Sequence, residues 1–369
     1  ELLSGQGLNY TSLEKAHFVI VLACSVRQSA IDRVWGKLNL WKTKKTIFII
    51  GCVLPTDQKR LAKKYPFLRI LATEDFVKQI PDLFPPPTTP TLRKTIYKPT
   101  GCVNGFENKR FHKKQETCHA FVTIQFGCDN FCTYCAVPYT RGREKSRPSK
   151  SIIADIKKEI QNGKNYFTLL GQNVNSYGLS QKEKQKNIQN LRQLTGDWLL
   201  LENEKNKITQ NKTGSFADLL WQIDKIQGVK KLDFLSPNPQ DMTNDVIDWM
   251  GKSQKFSHKL NLPLQSGSDK ILHKMNRRYT ARQYLTLVNK IKKAVSNIEL
   301  TTDIIVGFPS ETESDFKKTC NLCKLIGFKQ IYIGKYSPRN GTVAQKFFED
   351  DVSFTEKKAR YKKLIKLTS

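Results

Sequence analysis

The sequence predicts an α/β protein in two parts, an N-terminal doubly wound parallel sheet followed by a partial (β/α)6 barrel of TIM type. Three observations lead there. Residues 1–84 alternate apolar strand candidates with polar helical stretches, the pattern of a parallel sheet covered on both faces. From residue 118 onward six further strand candidates recur, each followed by a helical stretch. The polar, glycine-containing clusters of this second part follow its strands instead of preceding them, and in a β/α barrel that end is the catalytic face.

In the first part, residues 18–22 and 46–50 are the buried strands. Each runs straight into a cysteine, Cys24 and Cys52, at the carboxyl end where open α/β sheets bind ligands. Residues 1–7 form part of a helix. The proline run 81–90 continues neither periodicity and ends the domain, so residues 1–84 are expected as the first domain and 85–117 as a linker. The six later strands are expected at 121–126, 166–170, 231–235, 259–264, 299–306 and 330–334. Together they form a barrel over residues 118–350. A long polar stretch at 179–214, rich in Lys, Gln and Asn, interrupts it as a surface insertion. Residues 351–369 are a helix that leads onward, and the chain is expected to be truncated at both ends.

Charge points to a polyanionic partner. Lys and Arg number 62 against 33 Asp and Glu, a formal net charge of +29, which attracts nucleic acid at long range and makes binding salt-dependent. A Lys-rich solvated surface would give the same count, but several Arg cluster near the cysteines described next. No apolar run approaches the ~20 residues of a membrane span, so no membrane partner is expected. The cysteines number nine; an odd count favours a reducing cytoplasm and metal ligation over disulfides.

Cys128, Cys132 and Cys135 stand at gaps of three and two residues, short enough for one loop to wrap three thiolates round an iron–sulfur cubane. Structural zinc asks for a fourth protein ligand, and only Cys118 and His119 are near. A bacterial ferredoxin would show successive two-residue gaps and a further Cys-Pro. Three inert thiols fit poorly beside Gly127 in a polar loop. Three ligands leave one iron of a four-iron cluster open to chelate a substrate. Cys320 and Cys323 lie one helical turn apart on a face shared with Phe316 and are read as small core residues.

The run from Gly127 to Pro148, with its three cysteines and Val137-Pro-Tyr-Thr-Arg-Gly-Arg-Glu144, resembles the signature of radical S-adenosylmethionine methylthiotransferases of the MiaB type. Matches follow in order at 171–178, 263–269, 275–280, 303–309 and 336–342, and at Ala23-Cys-Ser-Val-Arg27 and Gly51-Cys52. The resemblance spans nearly the whole chain outside the linker and the insertion.

It implies two [4Fe-4S] clusters and S-adenosylmethionine as cofactors. The first cluster is held by Cys128, Cys132 and Cys135, which are catalytic through it; the second is an auxiliary cluster on Cys24, Cys52 and a third cysteine expected upstream of Glu1. The open iron binds S-adenosylmethionine, whose reductive cleavage yields a radical that abstracts hydrogen from C2 of an adenine. Gln172, Asn173, Ser266 and Ser268 are candidate cofactor-binding residues, with helix capping as their structural alternative. Arg141, Arg143, Arg147, Arg277 and Arg278 are candidate RNA-binding residues, with internal ion pairing as theirs. The implied activity is methylthiolation of N6-isopentenyladenosine beside the anticodon of tRNA. Alternatives are threonylcarbamoyladenosine in tRNA, an aspartate of a ribosomal protein, or a non-catalytic, cluster-stapled RNA-binding protein, against which the convergent loops speak. The family usually ends in a small RNA-binding β-barrel, and nothing after Leu367 would supply one. A cytoplasmic monomer served by a reducing electron donor is expected.

Overall fold

The computed structural model describes residues 9–10, 15–24, 28–41, 46–71, 73–84, 95–97, 118–179 and 214–367. The expected helix 1–7 and nearly all of the insertion 179–214 lie outside them. The chain divides into two compact units, Glu1–Lys109 with Arg339–Gly341, and Arg110–Pro338 with Thr342–Ser369.

The first unit is a five-stranded sheet, β1 (Asn9–Tyr10), β2 (Phe18–Cys24), β3 (Thr46–Cys52), β4 (Leu68–Leu71) and β5 (Thr95–Tyr97). Its order is β1-β5-β2-β3-β4, and every pairing is parallel. Strand alternation sends residues to opposite faces, and both faces are apolar. Val19, Val21, Ile47 and Ile49 pack with Val34 and Leu38 of the helix Gln28–Leu40. Phe48 and Ile50 pack on the other side with Phe76, Ile80 and Phe84. Helices therefore cover both faces, as the alternating pattern demands.

Two details depart from the sequence-based expectation. The helix Thr73–Leu83 runs through Pro81; so near the helix end the ring removes only one backbone donor, and Phe84 N still reaches Ile80 O at 2.9 Å. Thr95–Tyr97, inside the segment expected as a linker, is a strand inserted between β1 and β2. Three residues carry no legible period, and their partners are remote in sequence.

The second unit holds six parallel strands in chain order, in two hydrogen-bonded triplets. β6 (His119–Thr123), β9 (Tyr166–Leu170) and β10 (Lys231–Phe234) form one; β11 (Lys259–Asn261), β12 (Glu299–Val306) and β13 (Gln330–Lys335) form the other. A short antiparallel ribbon, β7 (Gln125–Phe126) with β8 (Lys145–Ser146), extends β6. One core takes side chains from all six strands, among them Val122, Phe167, Leu232, Leu260, Ile304 and Ile331. Cys320 and Cys323 are buried in this core, as expected. The helix Phe354–Ile365 is built into the same unit: Leu364 joins the core, and Arg360 donates to the buried Glu311 carboxylate at 2.8 Å.

The helix Glu313–Ile326 opens with a capping box between Thr312 and Asp315. Asp315 also accepts from Ser268 Oγ at 2.7 Å. Burial alone would raise this carboxyl, but the bonds from Ser268 and Thr312 outweigh it and hold it down at about 2.

Two outcomes are expected. Gly51 sits at φ +117°, and a Cβ there would lie 2.4 Å from the Ala23 carbonyl oxygen, so Gly51→Ala destabilises the first unit by about 1–3 kcal/mol, read as a lower denaturation midpoint. Because its pKa is depressed on folding, Asp315 contributes stability that is present above the unfolded value near ~3.9 and lost as pH falls toward 2. Ser268→Ala should therefore show a smaller loss of stability between pH 5 and pH 2 than the parent chain, by denaturant titration at each pH; an equal loss would rule this out.

Candidate functional site

The cysteine loop follows β7 and has almost no regular structure of its own, so its shape is imposed by neighbours. Gly127 begins it at φ +68°, where a Cβ would meet the Arg143 carbonyl oxygen at 2.2 Å. Asp129, buried, accepts from Arg143 Nε at 2.8 Å and from Glu144 N at 3.1 Å, folding the ribbon back over the loop. Phe131 adopts φ +46°, a strained conformation for a bulky residue. Asn276 holds that turn through Nδ2, which donates to the carbonyls of Asn130 and Phe131, each at 3.1 Å. Thr133 completes the frame: N to Met275 O at 3.1 Å, Oγ1 to Lys274 O at 2.7 Å, and O from Ala344 N at 2.7 Å.

Other strand-end loops join the same web. Gln125 Nε2 donates to Asn173 O at 3.0 Å and Ser176 Oγ at 2.8 Å. Asn175 exchanges two bonds with the backbone of Asn238, at 2.9 and 2.7 Å. Gln240 Nε2 reaches Asn130 Oδ1 at 2.7 Å. After β12, Phe308 meets Tyr134 edge-on at 6.4 Å and, after β13, Tyr336 at 5.1 Å. The loops after β7, β9, β10, β12 and β13 thus touch one another, while the turn after β11 is tied to the helix Glu313–Ile326.

Cys128 is buried and Cys132 and Cys135 half-buried. Burial pushes the Cys128 thiol well up, with Glu144 and the other two cysteines acting in the same direction. Burial likewise lifts Cys135 to about 12, Cys132 being its next neighbour in effect. Three thiolates this close, in this little solvent, need a cationic centre between them. Among the described residues no group of three or more His, Cys, Asp or Glu is gathered tightly enough for one metal ion; a four-iron cubane puts each thiolate on a different iron and asks for wider spacing. The all-cysteine donor set fits such a cluster.

The other expected residues divide. Gln172 is half-buried and Asn173 buried. Asn173 Nδ2 donates to Asp241 at 2.7 Å, while Gln172 Oε1 and Asn173 Oδ1 are buried without a hydrogen-bond partner, as acceptors awaiting a ligand would be. Ser266 and Ser268 differ from their expected role. Their hydroxyls are taken up by Thr319 at 3.4 Å and Asp315 at 2.7 Å, so they fasten the turn after β11 to the helix behind it. That turn presents Gln265, at φ +69° and with Oε1 unpartnered. Sequence reading missed Gln265 and did not single out Asn276; an isolated amide has no spacing signal.

Of the arginines, Arg143 and Arg147 pair internally, Arg143 with Asp129 and Arg147 with Asp155 at 2.6 Å and the Thr123 carbonyl at 2.7 Å. The ribbon brings Asp129 across to Arg143. Arg141 is exposed. Arg277 and Arg278 lie in a cleft of 320 Å³ with Asn276 and Gln283, and both have Cys132 as an electrostatic neighbour. In the first unit, Cys24 and Cys52 are register partners at the ends of β2 and β3.

Comparison with known proteins agrees with this geometry. A Radical SAM superfamily profile matches residues 122–323, from the first strand of the second unit into the helix Glu313–Ile326. The profile of Uncharacterized protein family UPF0004 matches residues 1–73. The tRNA-2-methylthio-N(6)-dimethylallyladenosine synthase of Clostridium botulinum strain Langeland is 38% identical over 373 residues, covering 96% of this chain and 74% of that protein. Its counterpart in Fervidobacterium nodosum is 37% identical over 369 residues, covering 100% of this chain and 78% of that protein. The thiol triad, the joined strand-end loops and these matches together place the chain in the tRNA-2-methylthio-N(6)-dimethylallyladenosine synthase family of the Radical SAM superfamily.

Proposed function

We propose that this chain methylthiolates C2 of N6-isopentenyladenosine beside the anticodon of tRNA, at the carboxyl ends of two strand triplets that make up a partial (β/α)6 barrel. The observation that carries the reading is the web around the cysteine loop. Residues after several strands hold the backbone of the loop that carries three thiols, more support than a merely structural cluster would need. When bound there, a [4Fe-4S] cluster with one iron free of protein thiolate supplies the site and the electron for reductive cleavage of S-adenosylmethionine.

The chain's own residues do the rest. Asn276 and Thr133 fix the backbone of the loop that carries the three thiols. Gln172, Asn173 and Gln265 offer unpaired amide oxygens at the ends of β9 and β11, acceptors suited to the ammonium and hydroxyl donors of S-adenosylmethionine. Ser266 and Ser268 act one step removed, by holding the Gln265 turn. Phe308 and Tyr336 wall the site and keep water from it.

In the first unit Cys24 and Cys52, on adjacent strand ends, are proposed to hold the auxiliary [4Fe-4S] cluster together with a third cysteine. The net charge of +29 supports tRNA as partner, with the exposed Arg141 at its contact surface. Among the described residues no helix is long and apolar enough to cross a membrane. A cytoplasmic monomer fed by a reducing partner completes the reading.

Anaerobic reconstitution followed by dithionite and S-adenosylmethionine should release 5′-deoxyadenosine, detected by chromatography. Cys132→Ala should abolish it and lower the iron content. A parent chain fully loaded with iron and sulfide that releases none would defeat the proposal. With tRNA added, mass spectrometry of nucleosides should place the methylthio group on isopentenyladenosine; finding it on threonylcarbamoyladenosine would overturn the substrate. Asn276→Ala, which strips two bonds from the loop, should lose iron to a chelator at least ~10-fold faster at a cost of about 2 kcal/mol in stability.

A further inference from the structure

We infer that Phe121, Leu170 and Leu235 receive the branched hydrocarbon chain on N6 of the target adenosine and so select isopentenyladenosine over threonylcarbamoyladenosine; this rests on the proposed methylthiolation at the cysteine loop. The first strand triplet has two unlike faces. Val122, Leu169 and Phe234 enter the core shared with the helices, so strand alternation turns Phe121, Leu170 and, one residue past β10, Leu235 the other way.

Register makes neighbours of these three. Phe121 pairs with Thr168 and Thr123 with Leu170, which sets Phe121 and Leu170 diagonally across β6 and β9, within reach of each other's side chains. Leu235 N donates to Leu169 O at 3.1 Å, so the ladder of β10 runs one residue on and brings Leu235 beside Leu170. Phe121 is 62% exposed and Leu235 43%; Leu170 is half-buried. Large apolar side chains this open, and adjacent by register, form a patch suited to an apolar ligand.

The polar groups beside them, Thr168 and Asp233, are buried and already engaged. His119 Nε2 and Thr168 Oγ1 lie 2.9 Å apart. Tyr166 donates to Asp233 at 2.6 Å, and Ser257 donates to it from N and Oγ at 3.2 and 2.7 Å. What this row offers a ligand is hydrocarbon. Asp233 pairs with Thr168 and so stands in the row of Phe121, whereas Lys231 lies one row farther from the carboxyl ends, 6.0 Å from the centre of the Tyr166 ring. A threonylcarbamoyl branch would bring a second carboxylate beside Asp233 and strip water from its polar groups. A five-carbon branch carries neither penalty.

The patch is continuous with the site. Leu170 runs directly into Gly171, Gln172 and Asn173, the last two with the unpaired amide oxygens proposed to meet S-adenosylmethionine. Leu235 precedes Ser236, whose carbonyl accepts from Val174 N at 3.3 Å. C2 and N6 belong to one rigid ring, so a patch that borders the reacting position is placed to read the branch.

The test uses the reconstituted chain and three tRNA samples alike except at the target adenosine, which carries the isopentenyl branch, the threonylcarbamoyl branch or none. Phe121→Ala and Leu235→Ala should each lower kcat/KM for methylthiolation of the isopentenyl tRNA at least ~10-fold, the scale of an apolar contact in a specificity pocket. Phe121→Leu, which stays apolar, should keep most of the activity. Binding of the unbranched tRNA, 5′-deoxyadenosine release without tRNA, and the denaturation midpoint should match the parent in both alanine variants, because the side chains are exposed. Threonylcarbamoyl tRNA should bind the parent no more tightly than the unbranched one, and Leu235→Arg, which supplies a counter-charge, should reverse that order.

Unchanged kcat/KM on the isopentenyl tRNA in both alanine variants would overturn the inference. Equal losses for isopentenyl and unbranched tRNA would make the patch a general RNA surface, and lowered midpoints in both variants would assign it to a contact within the protein; either result defeats the inference. So would a parent that binds threonylcarbamoyl tRNA more tightly than the unbranched one. A loaded parent chain that methylthiolates no isopentenyl tRNA would instead sink the underlying proposal.

Discussion

A loop with no helix or strand to satisfy its backbone must find its hydrogen bonds elsewhere, and the cysteine loop finds them in Asn276, Met275, Lys274 and Ala344. Buried carbonyls and amides left unpaired would each cost as much as a lost hydrogen bond. The parallel order of the strands is what makes the solution available. The strands of each triplet run parallel, so loops far apart in sequence arrive together, and several hold one another. Without the Asn276 amide, the turn at Phe131 would have to keep a left-handed conformation unaided.

Much of the backbone strain follows the same geography. Phe131, Ser236, Gln265 and Ser310 have positive φ in loops that follow strands and Asn276 in the turn after a helix, whereas His258 and Asn297, also at positive φ, stand just before β11 and β12. Such residues cost stability and survive where surrounding structure over-determines them. Here the surrounding structure is the core shared by the two triplets, together with a buried ion pair. Glu311 accepts from Gly307 N at 2.6 Å and from Arg360 at 2.8 Å, and so fixes the loop that carries Phe308. Removing Arg360 would leave the buried Glu311 carboxylate without its counter-charge.

Much of the fold was legible in the sequence because its strands are dense in Val, Ile and Phe. The expected spans 166–170 and 299–306 coincide with β9 and β12, and the others differ at their ends by one to three residues. Strand β5 was not legible, being short and paired with distant partners. In the site, the three cysteines stood out through spacing, a property of sequence alone. The assignment of charged and polar side chains did not, since Arg143 finds Asp129 only after the ribbon folds, and Ser268 finds Asp315 only when the helix Glu313–Ile326 packs behind its turn. A serine before a helix reads the same whether its hydroxyl faces a ligand or a neighbouring cap.

The bond from Ala344 to Thr133 and the anchoring of Glu311 by Arg360 carry a consequence for biogenesis. The cysteines leave the ribosome early, whereas the groups that hold their loop in shape emerge much later, the last of them on the helix Phe354–Ile365. Until then the thiols belong to a nascent chain with no fixed ligand geometry. A chain made from its amino end therefore lacks part of this frame until the helix Phe354–Ile365 has been added.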